Sequence, residues 1–207
     1  MPTPDTILAG LTAVANESRL LAMFWHAYIA ALLLAIATRR GLSNRLICTL
    51  LLLPLLSVSG LAWRSSNPFN GAVFAGVSLA LGIVALRLPP AAIRIASGPS
   101  MLSGLICLAF GWVYPHFLAT TNPALYLIAA PLGLLPCPTL SAISGLTLLI
   151  EPRSTTWMLT LAGLSVVYAT IGVFGLAVTI DVVLFAGAAA LVANVAVRSR
   201  SPQRIRI

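Results

Sequence analysis

The chain contains no lysine, and its 207 residues include only four carboxylates, Asp5, Glu17, Glu151 and Asp181. Charged residues make up 8% of it, too few to cover the surface of a soluble domain of this length. None of the four carboxylates falls in the middle of an apolar run, so carboxylate-based proton coupling and paired-carboxylate hydrolysis have no obvious carriers. A phosphate-cradling glycine loop, an H-E-x-x-H helix and a G-x-S-x-G elbow are all missing, which argues against the chemistries they serve. The three cysteines, Cys48, Cys107 and Cys137, lie inside apolar runs without C-x-x-C spacing, which argues against a disulfide framework or a zinc knuckle. Asp5 and Glu17 stand where a cleavable signal would carry a positive n-region, so no such signal is expected.

What is present is apolar. Hydrophobic residues make up 59% of the chain and its mean hydropathy is +1.03. Several stretches reach the ~20 residues that cross a hydrocarbon core as a helix. The expected fold is an all-α polytopic membrane helix bundle of about seven transmembrane helices, the fifth broken at Pro-Cys-Pro. Residues 1–19 are too short and mixed to span. Ile7, Leu8, Leu11 and Val14 recur at helical spacing there, as in an amphipathic helix lying at the interface. The transmembrane domain is expected over residues 20–197, with spans at 20–38, 46–63, 68–88, 101–118, a broken 123–150, 156–178 and 181–197. Asn67-Pro68 and Asn122-Pro123 each read as a cap followed by proline at the first helical position. The apolar stretch 157–197 would be ~60 Å long as a single helix, so it must fold back near Thr179 and Asp181. Residues 198–207 form a basic tail.

The net charge of +8 comes from twelve arginines. With seven spans, Arg39, Arg40, Arg45, Arg87, Arg94, Arg153, Arg198, Arg200, Arg204 and Arg206 share one side, and Arg19 and Arg64 the other. Such asymmetry follows the positive-inside rule and not a nucleic-acid partner. It places the N-terminus outside and the C-terminus in the cytoplasm, in a bacterial inner membrane. The tail can rest on anionic headgroups. The expected partners are the lipid bilayer and either a second copy or another membrane protein.

Residues 131–139, PLGLLPCPT, organise the site expectation. Each proline removes a backbone donor and clashes with the preceding turn, so Pro131, Pro136 and Pro138 divide the fifth span. The expected halves are 123–134 and 139–150, joined by a non-helical link that holds Cys137 near mid-membrane. The free N–H groups of the second half-helix would favour negative charge at the thiol. Transporters use such broken helices to hold substrate. Pro136, Cys137, Pro138 and Thr139, with Cys107 and Met101 nearby, therefore form a candidate substrate or ion pathway. Cys137 and Cys107 are candidate ligands for a soft ion such as Cu(I). The plainer reading is a proline kink whose cysteine is a small apolar residue.

Trp25, Tyr28, Trp63, Trp112 and Tyr114 read as an aromatic belt at the outer rim. His26, His116 and Asp181 could converge there in an outer vestibule. Gly104, Gly111, Gly172 and Gly175 are suited to close helix packing.

Asn67-Pro68, Tyr114-Pro115, Pro136–Thr139 and Asp181 give the chain a resemblance to an uncharacterised family of small bacterial multi-pass membrane proteins, a domain of unknown function with a Pro-Cys-Pro-Thr motif. The resemblance implies the multi-pass fold and brings no activity or cofactor with it. Three functions remain open at this point. The first is a small transporter or soft-ion-handling protein built around Cys137. The second is a non-catalytic subunit or assembly partner of a larger membrane complex. The third is a thiol oxidoreductase using Cys107 and Cys137, the one enzymatic reading.

Overall fold

The computed structural model describes residues 3–38 and 41–200. The bundle begins with α1 (Pro4–Glu17), capped by the Thr3 hydroxyl, followed by α2 (Arg19–Ala37) and α3 (Asn44–Arg64). α4 (Pro68–Arg87) starts as the Asn-Pro spacing requires: the Asn67 side chain accepts the Asn70 N–H, and Pro68 needs no partner at the first position. α5 (Gly98–Val113) follows, then a 3-10 turn (Pro123–Leu125) leading into the one-turn α6 (Tyr126–Ala129). α7 (Pro136–Leu149), α8 (Thr155–Thr170) with a π-helical turn (Ile171–Gly175), and α9 (Val182–Arg200) complete it. Two two-residue strands, β1 (Arg94–Ile95) and β2 (Ile150–Glu151), pair antiparallel at one end.

Among the described residues, five helical stretches are long and apolar enough to cross a membrane: α2, α3, α4, Thr155–Gly175 and Thr179–Ser199. α5 and α7, with 16 and 14 residues, are shorter. The long helices turn large apolar side chains outward, among them Leu20, Leu34, Leu79, Leu86 and Phe174, as a bundle in lipid does. α1 is helical as its spacing predicts, with Ile7, Leu8, Leu11 and Val14 on its half-buried face.

α7 is the centre of the bundle, with 13 of its 14 residues buried. It lies very close to α5, and glycine is what permits this. A Cβ at Gly111 would stand 2.5 Å from the Pro138 carbonyl, and one at Gly145 would stand 2.5 Å from the Leu108 nitrogen. Gly104 faces the Gly145 carbonyl from the other helix. The backbones therefore approach as in small-residue membrane helix pairs. Ser141 crosses the same seam and donates to the Cys107 carbonyl at 2.7 Å.

The arginines sort by end. Residues 43–45, 87–96, 150–153 and 198 come together at one end through the β1–β2 pair and three further contacts. Ser43 bridges to Ala92, Arg45 donates to the Leu88 carbonyl, and Arg198 donates to the Arg153 carbonyl. Arg153 is 9% exposed and gives its guanidinium to the carbonyls of Thr147 and Leu148, freed at the end of α7, and to Asn194. Burial pulls that guanidinium below its ordinary value, while Glu151, 3.6 Å away, pushes it up. Arg19 and Arg64 lie at the opposite end. Arg39, Arg40, Arg204, Arg206 and the tail from 201 onward lie outside the described residues, as does the Arg200 side chain.

Candidate functional site

The helix is interrupted in the stretch expected to break, but earlier than the prolines suggest. Residues 130–135 form the non-helical link, and Pro136, Cys137 and Pro138 are the first turn of α7. The reason is that the first N–H groups of a helix have no partner within it, so proline is tolerated there. At a helix start buried in apolar surroundings, two prolines remove two donors that would otherwise go unpaired. The same fact weakens the expected pull on negative charge, since of the first three positions Cys137 alone supplies an N–H.

The link is held by its own chemistry. Gly133 adopts a φ of +71° and lies against the Trp25 ring, which a Cβ there would overlap. Its N–H donates to the Thr139 hydroxyl at 2.9 Å, and that hydroxyl donates to the Leu135 carbonyl at 2.7 Å. The Leu134 and Leu135 N–H groups close onto the Pro131 carbonyl. The N–H groups of Leu132, Gly133, Leu134 and Leu135 are thus all taken up within the protein.

Cys137 meets Asp181 across the bundle. The thiol donates to Asp181 Oδ2 at 3.1 Å, and the Tyr114 hydroxyl donates to Oδ1 at 2.6 Å. Asp181 is 2% exposed and Tyr114 is fully buried, whereas Cys137 retains some accessible surface. Three distant segments supply the three groups: the end of α5, the start of α7 and the turn before α9. That turn is tight because Ala177 takes a φ of +56° and Val178 donates back to the Gly172 carbonyl. It presses the Asp181 carboxylate onto Gly172, where a Cβ would overlap it. His116 and Tyr168 lie within electrostatic reach, the first of Asp181 and the second of Cys137. Tyr168 in turn donates to Asn70 at 2.8 Å.

Cys137 is twelve residues above Leu149, about 18 Å along α7, in a bundle whose 20-residue helices run about 30 Å. Cys137 thus stands about 3 Å from the half-way point of such a helix. A small cleft beside α1 is lined by Leu11, Val14, Asn67, Asn70, Leu135 and Pro136, and Cys137, Tyr114 and Asp181 are not among its walls.

The other expected residues divide. His116 is exposed and sets its ring edge-on against Phe117, 4.2 Å between centroids, and His26 is engaged elsewhere. Its Nδ1 faces the Ala22 carbonyl at 2.8 Å and its Nε2 the Trp112 carbonyl at 2.9 Å, so it ties α2 to the end of α5. Cys107 lies against Gly187 of α9, six residues beyond Asp181, so about 9 Å of helix separates the partners of the two thiols. Met101 is 38% exposed on α5, six residues from Cys107. Among the described residues, no group of three or more His, Cys, Asp or Glu side chains comes together. Two belt residues are not belt residues: Trp25 is buried and donates to Ser57, and Tyr114 holds Asp181.

Tyr114, Cys137 and Asp181, which meet here, come from three of the four stretches that carry the resemblance noted above. No protein-family model matches the chain, and neither a curated protein nor a solved structure shows significant similarity to it.

Proposed function

We propose that this chain is a small membrane transporter or ion-handling protein whose site is the Cys137–Asp181–Tyr114 cluster. The observation that carries the reading is the 3.1 Å contact between the Cys137 thiol and a buried carboxylate brought from a distant segment. The Cys137 sulfur is the soft donor that a cation such as Cu(I) selects, and Asp181 stands beside it. The thiol gives up its proton as the cation takes its place on sulfur, and Asp181 Oδ2 is positioned to accept that proton. Few ligands mean exchangeable binding, which suits passage better than storage. In this reading α5 and α7 complete seven crossings of a bacterial inner membrane. The arginine-rich end faces the cytoplasm, and the N-terminus lies outside.

The test is Cu(I) binding by purified protein, compared with Cys137→Ala and Asp181→Asn. Loss of bound metal in both variants, at unchanged folded yield and melting temperature, supports the site. Equal Cu(I) content in wild type and Cys137→Ala would refute it. Parallel loss of fold and binding would favour a purely structural kink.

A further inference from the structure

The Asn16 side chain, near the end of α1, uses all of its hydrogen-bonding capacity. Its Nδ2 donates to the Thr12 carbonyl at 2.7 Å and to the Phe117 carbonyl at 2.9 Å. Its Oδ1 accepts from the Ala119 N–H at 2.9 Å and from Arg19 at 2.7 Å. Two donors and two lone pairs are all that a primary amide offers, and one orientation alone fits, with nitrogen facing two carbonyls and oxygen two N–H groups. Arg19, the first residue of α2, adds a 2.8 Å bond to the Ala119 carbonyl. Two residues at the α1–α2 junction thus grip residues 117–119, which lie a hundred or so positions later in the chain.

The gripped segment leads straight into the site. Phe117 takes a φ of +70°, a left-handed backbone that a bulky aromatic residue keeps only where its surroundings fix it. The Asn16 amide holds its carbonyl, and its ring lies nearly parallel to that of Tyr114, 6.2 Å between centroids. The Tyr126 hydroxyl takes the Leu118 carbonyl, between the two Asn16 contacts. The His116 N–H returns to the Tyr114 carbonyl at 2.8 Å, so 114–119 is one bonded turn. At its far end stands Tyr114, fully buried, with its hydroxyl 2.6 Å from Asp181 Oδ1.

We infer that Asn16 and Arg19 are positioning residues of the Cys137–Asp181–Tyr114 cluster, acting through the turn 114–119. The inference rests on the proposed reading of that cluster as the functional site and adds what seats its phenol. α5 ends at Val113, so no helix continues past Tyr114 to fix its ring, and the turn that follows must do so. Asn16 and Arg19 anchor that turn from a separate part of the chain. Without the anchor, Phe117 relaxes from its left-handed backbone, the Tyr114 ring stacked on it shifts, and Asp181 loses one of its two donors. Because Tyr114 is fully buried, its departure leaves that side of the Cys137–Asp181 pair unpacked. Cys48, beside Asn44, and Cys107, against Gly187, keep their own surroundings.

The experiment exposes the full chain in detergent micelles to methyl methanethiosulfonate and reads each cysteine by mass spectrometry of its peptide. Asn16→Ala is expected to speed modification of Cys137 by about tenfold, the scale of one net hydrogen bond lost from the seated state, with Cys48 and Cys107 at wild-type rates. Asn16→Asp is the milder variant should Asn16→Ala fail to fold: it keeps the oxygen for Ala119 and Arg19 and loses the donors to Phe117 and Thr12. The same selective rise is expected of it. An unchanged Cys137 rate in both variants would overturn the inference. So would equal acceleration of all three thiols, which would make the clamp a support of the whole fold and not of the site. Both variants should also bind Cu(I) more weakly than wild type, and undiminished binding would overturn the inference while leaving the proposed site standing. Selective exposure of Cys137 in a protein whose wild type takes no Cu(I) would keep the positioning role and remove the ion reading.

Discussion

The Asp181 carboxylate occupies the space in which Gly172 lacks a side chain. A carboxylate on the last hairpin and a glycine in the π-helical turn nine residues before it are therefore one unit, and the position of Asp181 against Cys137 depends on both.

Gly172→Ala is accordingly expected to displace Asp181 from Cys137 and Tyr114 and to abolish Cu(I) binding. Gly175→Ala is the control, because a Cβ there meets nothing closer than Ile171 at 3.9 Å. Equal binding in both variants would show that Gly172 is not required to seat the carboxylate.

Tyr114→Phe removes one of two donors to a buried carboxylate while keeping the ring contacts with Phe110 and Phe117. A hydrogen bond to a charged group is worth roughly 1.5–3 kcal/mol, so a loss of that order is expected in chemical unfolding in detergent. No loss would mean that Asp181 draws little from Tyr114.

Thr139→Val keeps the shape and the β-branch but strands the Gly133 N–H and releases the Leu135 carbonyl. The expected destabilisation is about 1–3 kcal/mol. It should be accompanied by faster proteolysis within 130–135, the stretch that Thr139 staples. Cleavage as slow as in wild type would show that Trp25 packing alone secures the link.

Gly111→Ala should push α5 from α7 at the Pro138 carbonyl, at an overpacking cost of about 1–3 kcal/mol. Gly163→Ala meets open space and should leave the melting temperature unchanged. If the two behave alike, the helices are not in the tight contact described.

The long helices were legible because each signal for them is local. Asn67-Pro68 names its own cap, and the apolar runs behind Ser43 and Ser154 declare their length. The broken span was legible in kind but misplaced, because proline both ends helices and begins them, and composition alone does not say which. Here Pro136 and Pro138 begin α7, while the turn falls at Gly133, whose left-handed φ depends on Trp25 filling the space beside it. Gly104 and Gly111 pack against a neighbouring helix as their sequence suggests, whereas Gly172 makes room for the Asp181 carboxylate and Gly175 meets nothing closer than Ile171. The pairing of Cys137 with Asp181 was out of reach. Forty-four residues separate them, and no periodicity links the start of one helix to the turn before another. Tyr114 was hidden for the same reason: at the end of an apolar run it has the look of an interfacial aromatic, and its burial comes from segments distant in sequence.

One consequence concerns biosynthesis. α7 leaves almost no side for acyl chains, and α8 and α9, which cover it, emerge from the ribosome after it. The segment 136–149 therefore cannot settle where it is first delivered; it waits for the final third of the polypeptide. Chains ending before Thr155 should leave a cysteine introduced by Ser144→Cys open to water-soluble thiol reagents, and the finished protein should shield it.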